Sequence, residues 1–171
     1  MQERKGIVTL KGNSVTLVGR EVSVGDTAPD FVAVDNDMSE VHFADLKSDV
    51  TVITSVPSLD TEVCDRETRR FNVEAAALGE KVRILAISMD LPFAQKRWCA
   101  AAGVEAVRTL SDYRFLSFGG SYGVLIKEIR LLARAVFVVD ADGTIRYVQI
   151  VPEITREPNY KQILAAVKQM V

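Results

Sequence analysis

Two hydrophobic periods alternate along this chain, and together they place most of its elements. Residues 7–10 (Ile-Val-Thr-Leu) and 13–19 (Asn-Ser-Val-Thr-Leu-Val-Gly) are β-rich runs around Lys11-Gly12, the signal of a hairpin. Gly25 to Asp30 reads as a turn that leads into short strands at Phe31–Val34 and Val41–Phe43. From residue 50 the rhythm changes to strand, helix, strand. Val50–Val56 is a β-branched run stopped by Pro57, as a buried strand would be. Residues 61–79 set Val63, Cys64, Phe71, Ala75 and Leu78 on one helical face. Lys81–Met89 is the next strand and Leu91–Ala102 the next helix. Asp90 is placed to cap that helix, and Pro92 falls in its first turn, where an N–H is not needed. Val107–Leu110 predicts a short strand and Ser111–Phe118 a short helix. Arg134–Val139 and Thr144–Val151 flank Ala141-Asp142-Gly143, a hairpin with its turn chemistry in place. Pro158–Met170 makes a closing helix.

Helical crossovers feed parallel strands, and the last hairpin adds an antiparallel pair. The order β-α-β, then α-β-β-α, predicts a thioredoxin-like α/β fold. It has a mixed central sheet flanked by helices and an N-terminal β-hairpin extension. No repeat, low-complexity tract or linker interrupts it, so residues 1–171 read as one domain. At 48% hydrophobic, a chain of 171 residues can bury a core without disulfide or metal staples. Its 21 basic and 23 acidic residues leave a net charge of −2, which removes the electrostatic footprint of a nucleic-acid binder. No apolar run approaches the ~20 residues of a membrane span, and Met-Gln-Glu-Arg-Lys has no apolar segment behind it. With only two cysteines the chain does not look like a secreted disulfide scaffold, so the cytoplasm is the expected compartment.

The polar inventory narrows the chemistry. There is one histidine, His42, and there are two cysteines, Cys64 and Cys99, with no CxxC or HxxxH spacing to build a zinc site. GxGxxG and GxxxxGK[ST] loops are absent, so nucleotide binding has no support; no cofactor is expected. His42 reads as a surface or packing residue on a short strand. Gly119-Gly120-Ser121-Tyr122-Gly123 matches GxSxG but lacks a strand before it and a histidine after it, so it reads as a glycine-rich loop. Cys64 is different. It follows a strand–loop junction and lies in the first turn of a helix, where unpaired N–H groups favour an anion. Thiolate is the reactive form of cysteine, and helix N-termini lower the thiol pKa from ~8.5 into the range ~3.5–7.5. Two readings stand: a reactive thiolate, or a small buried hydrophobe on the helix's apolar face. Thr61 reads as the helix N-cap, with its hydroxyl over the same turn. Arg134, opening an apolar strand, is either solvated at its mouth or turned inward to supply fixed charge and a fork of donors. Cys99, near the end of the following helix, is either a core thiol beside Trp98 or one that captures an oxidised Cys64.

The segment Pro57-Ser58-Leu59-Asp60-Thr61-Glu62-Val63-Cys64 contains the pattern PxxxTxxC. With Asp90–Gln95 ahead of Cys99, Leu132-Ala133-Arg134-Ala135-Val136 and Gly25–Phe31, the chain from about residue 7 onward resembles the thiol peroxidases, the atypical two-cysteine branch of the peroxiredoxins. The resemblance implies that Cys64 is the peroxidatic cysteine and Cys99 the resolving one. Thr61 and Arg134 would be hydrogen-bonding and charge partners of the thiolate, and Pro57 would shield the pocket. It also implies reduction of hydrogen peroxide and alkyl hydroperoxides through a Cys64 sulfenic acid. An intramolecular Cys64–Cys99 disulfide would follow, recycled by thioredoxin in a homodimeric enzyme. Gly120–Arg130 matches the family less clearly. Two rivals remain: a non-catalytic thioredoxin-like redox sensor or binding protein, and a general disulfide oxidoreductase, against which the absence of CxxC counts.

Overall fold

A computed structural model describes residues 1–46 and 48–171 of the chain. Its strands are β1 (Glu3–Leu10), β2 (Asn13–Val18), β3 (Val32–Val34), β4 (Glu40–His42), β5 (Val50–Ser55), β6 (Val82–Ser88), β7 (Val107–Ser111), β8 (Leu125–Ile126), β9 (Ala135–Asp140) and β10 (Ile145–Ile150). The helices are α1 (Glu62–Leu78), α2 (Pro92–Ala102), α3 (Ser117–Tyr122) and α4 (Tyr160–Lys168). The central sheet runs β10-β9-β5-β6-β7-β3-β4. β5, β6 and β7 are parallel, and β9, β10, β3 and β4 join antiparallel. This is the mixed sheet flanked by helices that the element order predicts.

Strand parity decides which chemistry meets which layer, because successive side chains point to opposite faces. Val50 and Val52 of β5 and Val136 and Val138 of β9 pack into one core with Phe71 and Ala75 of α1 and Tyr160 and Ile163 of α4. Ile53, Ala135, Phe137 and Val139 face the other core, with Phe118 and Tyr122 of α3. Arg134 has the parity of Val136, so it enters on the α1 side.

The N-terminal hairpin turns at Lys11-Gly12, both with positive φ (50° and 81°), the mirror-image turn that matches strand twist. It starts earlier than the sequence suggests. Its second strand pairs with β8, which the apolar pattern does not announce, to make a separate three-stranded sheet.

Two local expectations are corrected. The short helix lies at Ser117–Tyr122, not Ser111–Phe118. Ser111 ends β7, and the buried Asp112 carboxylate waits for the helix, accepting from the Phe118 and Gly119 amides. Nor does Asp90 cap α2: Leu91 holds that position with no side-chain cap. Asp90 instead accepts from Ser58 Oγ, the Leu59 amide and Ser88 Oγ, binding the β5–α1 loop to the end of β6.

Candidate active site

α1 begins where the sequence places it. Thr61 is the N-cap, and its Oγ1 accepts from the Cys64 amide at 3.3 Å while its hydroxyl donates to the Ser58 carbonyl at 3.1 Å. Cys64 is therefore in the first turn. It is fully buried, packed with Val56 and Leu59, and Trp98 of α2 closes over that cluster.

Arg134 is turned inward, with 1% of its surface exposed, and this settles its two readings. Its three donor positions are all used. Nη2 donates to Cys64 Sγ at 3.1 Å, Nε to the Ile154 carbonyl at 3.0 Å, and Nη1 to a carboxylate oxygen of Glu67. Glu67 is wholly buried, and its other oxygen accepts from Thr54 Oγ1 at 2.7 Å. Burial pushes the Glu67 carboxyl up, and Arg134 and Thr54 oppose the rise. Burial alone would lower the Arg134 pKa, but Glu67 and the Cys64 sulfur outweigh it, so the guanidinium stays charged. A sulfur anion at Cys64 would thus face a fixed cation in a medium that screens it poorly.

Glu67 was not singled out from the sequence. The signal was present: it lies three residues after Cys64 and four before Phe71, inside the buried stripe of α1. An acid in that stripe needs a cation, and Arg134 is the one that strand parity delivers.

Beside these residues is a cavity of about 480 Å³ whose walls include Leu10, Pro57, Val63, Leu131, Ile154 and Arg134. Thr61 and Lys11 also reach it, so the tip of the N-terminal hairpin forms part of the wall. Pro57 is buried against it, and most of the lining is apolar.

Cys99 lies apart from this group. Its thiol is half-buried and free, as is that of Cys64, and its Sγ is 3.4 Å from Thr109 Oγ1 on β7. Thr109 gives its own hydroxyl hydrogen to Asn36, which makes Cys99 the donor. Burial pushes the Cys99 thiol up. The fold therefore groups Pro57, Thr61, Cys64 and Arg134 and leaves Cys99 docked on another element. His42 is exposed on β4 beside Asp30, and Gly119–Gly123 forms the end of α3 and its C-cap.

Comparison with known proteins identifies the family. The Redoxin family model matches residues 23–164. A thiol peroxidase of Bacillus subtilis is 55% identical over 164 residues, 96% of this chain and 98% of the relative. One from Staphylococcus aureus is 52% identical over 95% of this chain and 98% of its own. Among solved structures, a peroxiredoxin-like protein from Aquifex aeolicus superposes with a TM-score of 0.89 at 47% identity, covering 98% of this chain and 99% of its own. No helix among the described residues is long and apolar enough to cross a membrane.

Proposed function

The chain belongs to the Redoxin family as a peroxiredoxin-type thiol peroxidase, and on that premise we propose that it reduces hydrogen peroxide and alkyl hydroperoxides through Cys64, with Cys99 as the resolving thiol. The observation that carries the reading is the buried Arg134 guanidinium at 3.1 Å from Cys64 Sγ, anchored from behind by Glu67.

The Cys64 thiolate attacks the terminal oxygen of the hydroperoxide. The O–O bond breaks, the leaving oxygen takes a proton and departs as water or alcohol, and Cys64 becomes a sulfenic acid. Arg134 Nη2 is placed to follow the charge as it moves from sulfur to oxygen. Thr61 is its counterpart on the helix side. Turning its hydroxyl away from the Ser58 carbonyl would aim a donor at the peroxide. Pro57 and the apolar wall keep water from the sulfur, and the cavity gives room for an alkyl group.

In the second stage the Cys99 thiol condenses with the sulfenic acid, forming the disulfide and releasing water. A disulfide requires Cα atoms ~4.4–6.8 Å apart. With Cys99 bonded to Thr109 on β7, α2 and the first turn of α1 must loosen for the sulfurs to meet. Thioredoxin then reopens the bond by thiol exchange. The chain works in the cytoplasm as a homodimer, by likeness to its family.

The test is NADPH-coupled peroxide consumption with thioredoxin and thioredoxin reductase. Cys64→Ser abolishes turnover, whereas Cys99→Ser retains one round of peroxide reduction but loses thioredoxin-linked cycling. Sustained turnover by Cys64→Ser would overturn the reading, and no turnover by the wild type would favour a redox sensor.

A further inference from the structure

α2 is an unusually exposed helix for one that carries a reacting group. Only Pro92 and Gln95 are buried. Both lie in its first half, and Gln95 Nε2 donates to Ser88 Oγ and the Leu110 carbonyl, pinning that half to the sheet. The second half, residues 96–102, buries no side chain fully. Trp98 and Ala102 pack against the α1-side core without being fully buried, and polar ties from α1 supplement that contact. Trp98 Nε1 donates to Asp65 Oδ1 at 2.9 Å. Asp65 Oδ2 accepts from Arg69 Nε at 2.8 Å, and Arg69 lies over the Trp98 ring, 5.7 Å from its centroid. Arg69 Nη1 also reaches the Ala102 carbonyl in the last turn of α2, at 3.4 Å. A further polar tie is the Cys99–Thr109 contact. Asp65 is thus the hub of a clasp between the helix that bears Cys64 and the less buried half of the helix that bears Cys99.

We propose that Asp65 is a positioning residue for resolution: its hold on Trp98 and Arg69 sets how fast the second half of α2 opens to deliver Cys99 to the oxidised Cys64. The inference rests on Cys99 being the resolving thiol. While the clasp is closed, the Cys99 S–H is engaged with Thr109 and stays protonated. Opening frees it to attack the sulfenic sulfur, forming the S–S bond and expelling the sulfenic oxygen as water. The competing reaction is attack on a second hydroperoxide by the waiting sulfenic acid, which gives sulfinic acid and an alcohol or water. The clasp therefore also sets how much peroxide the enzyme survives, because a slower opening leaves the sulfenic acid exposed for longer.

The experiment follows disulfide formation after one equivalent of peroxide, by quenched-flow and mass spectrometry, in the full-length enzyme. Asp65→Ala and Trp98→Phe break the clasp from opposite sides, so a folding defect in one does not remove the test. Each is expected to speed disulfide formation about ten- to a hundredfold, the worth of a hydrogen bond to a charged group read as a rate ratio. Each should also raise, by a similar factor, the peroxide concentration at which half the protein becomes sulfinic. Asp65→Asn keeps an acceptor for Trp98 but loses the charge that holds Arg69, and should fall between. A merely structural role would lower the melting temperature without reordering these rates. If the wild type forms the Cys64–Cys99 disulfide and both variants keep its rate, the role of Asp65 is overturned and the resolving role of Cys99 stands. If the wild type forms no intramolecular disulfide, both fall.

Discussion

Arg134→Met made together with Glu67→Gln removes the guanidinium from Cys64 without leaving a bare carboxylate in the core. Arg134→Ala alone would strand Glu67, which is wholly buried, and breaking such a pair costs ~3–5 kcal/mol of stability. In the double variant a neutral amide can still meet Thr54 Oγ1, now 2.7 Å from the carboxylate. Two separate losses in the peroxide rate are then expected. The first is ionisation. An ordinary thiol with pKa ~8.5 is roughly 3% ionised at pH 7, so this route loses about 30-fold if the thiol returns to that value, and more where burial raises it further. That corresponds to ~2 kcal/mol of barrier. The second is the donor aimed at developing oxygen charge, worth ~2.7–4 kcal/mol, or about 10²–10³-fold. At pH 7 the rate constant should therefore fall by roughly 10³–10⁴. At a pH above the variant's own thiol pKa, a deficit of about 10²–10³ should persist. Stopped-flow fluorescence can follow the step, because Trp98, the single tryptophan, packs on the Val56–Leu59–Cys64 cluster. If the rate returns fully to the wild-type value at high pH, Arg134 only ionises the sulfur and has no part in splitting the O–O bond.

Thr61→Val removes both the N-cap and the hydroxyl; it should cost ~1 kcal/mol in denaturant unfolding and slow peroxide reduction, while Thr61→Ser restores both. Burial raises the Asp112 carboxyl from 3.8 to about 6, against the amides of Gly119, Phe118 and Ser117. The folded protein then keeps a proton that the unfolded chain has released, so the contribution of Asp112 to stability is fully present below pH ~4 and is lost, by up to ~3 kcal/mol, as pH rises through ~6. Urea midpoints across that window should show the slope, and Asp112→Asn should flatten it. Glu153 behaves oppositely: hydrogen bonds from Thr155, Gly12 and Thr9 hold its carboxyl down at about 2. Its hold on the hairpin tip should be present above pH ~4.5 and weaken as pH falls toward 2, read by exchange of the Gly12 amide. Glu153→Ala should release the tip at neutral pH and raise KM for bulky hydroperoxides, whose cavity the tip walls, with hydrogen peroxide little affected.

Much of the site is legible in the sequence because period and parity are local properties. The Pro57–Cys64 stretch carries its own helix start, and Thr61 caps it in the structure as its residue type predicts. Arg134 shows both the reach and the limit of such reading. Counting by twos from Val136 and Val138 puts it on the α1 face, yet a lone arginine at a strand mouth leaves its direction open until a buried acid is found for it. Glu67 carries no such local mark, because a carboxylate in a helix is ordinarily solvated. Asp90 sits where a cap is expected and Asp112 within an expected helix, but their partners come from another loop and from a helix several residues further on. The Asp65–Trp98 bond joins residues 33 apart and has no local signature. What sequence reasoning loses is long-range pairing of polar groups, which hydrophobic patterning does not encode.

The two halves of the proposed cycle ask opposite things of the fold, and the molecule meets them on adjacent helices. A buried ion pair such as Arg134–Glu67 adds little stability, because desolvating both charges offsets their attraction. Its value is a cation that does not have to reorganise when charge moves from sulfur to oxygen, and so it sits between a central strand and a well-buried helix. Resolution needs the reverse, a segment that opens faster than the whole protein unfolds. Such segments have few buried contacts and many exposed backbone bonds. The second half of α2 fits that description, and Gln95 keeps the opening from spreading into the sheet. Filling α2 with buried apolar residues would therefore stabilise the protein and slow its cycle together. Weakening Glu67 would slow the chemistry while leaving the opening of α2 untouched.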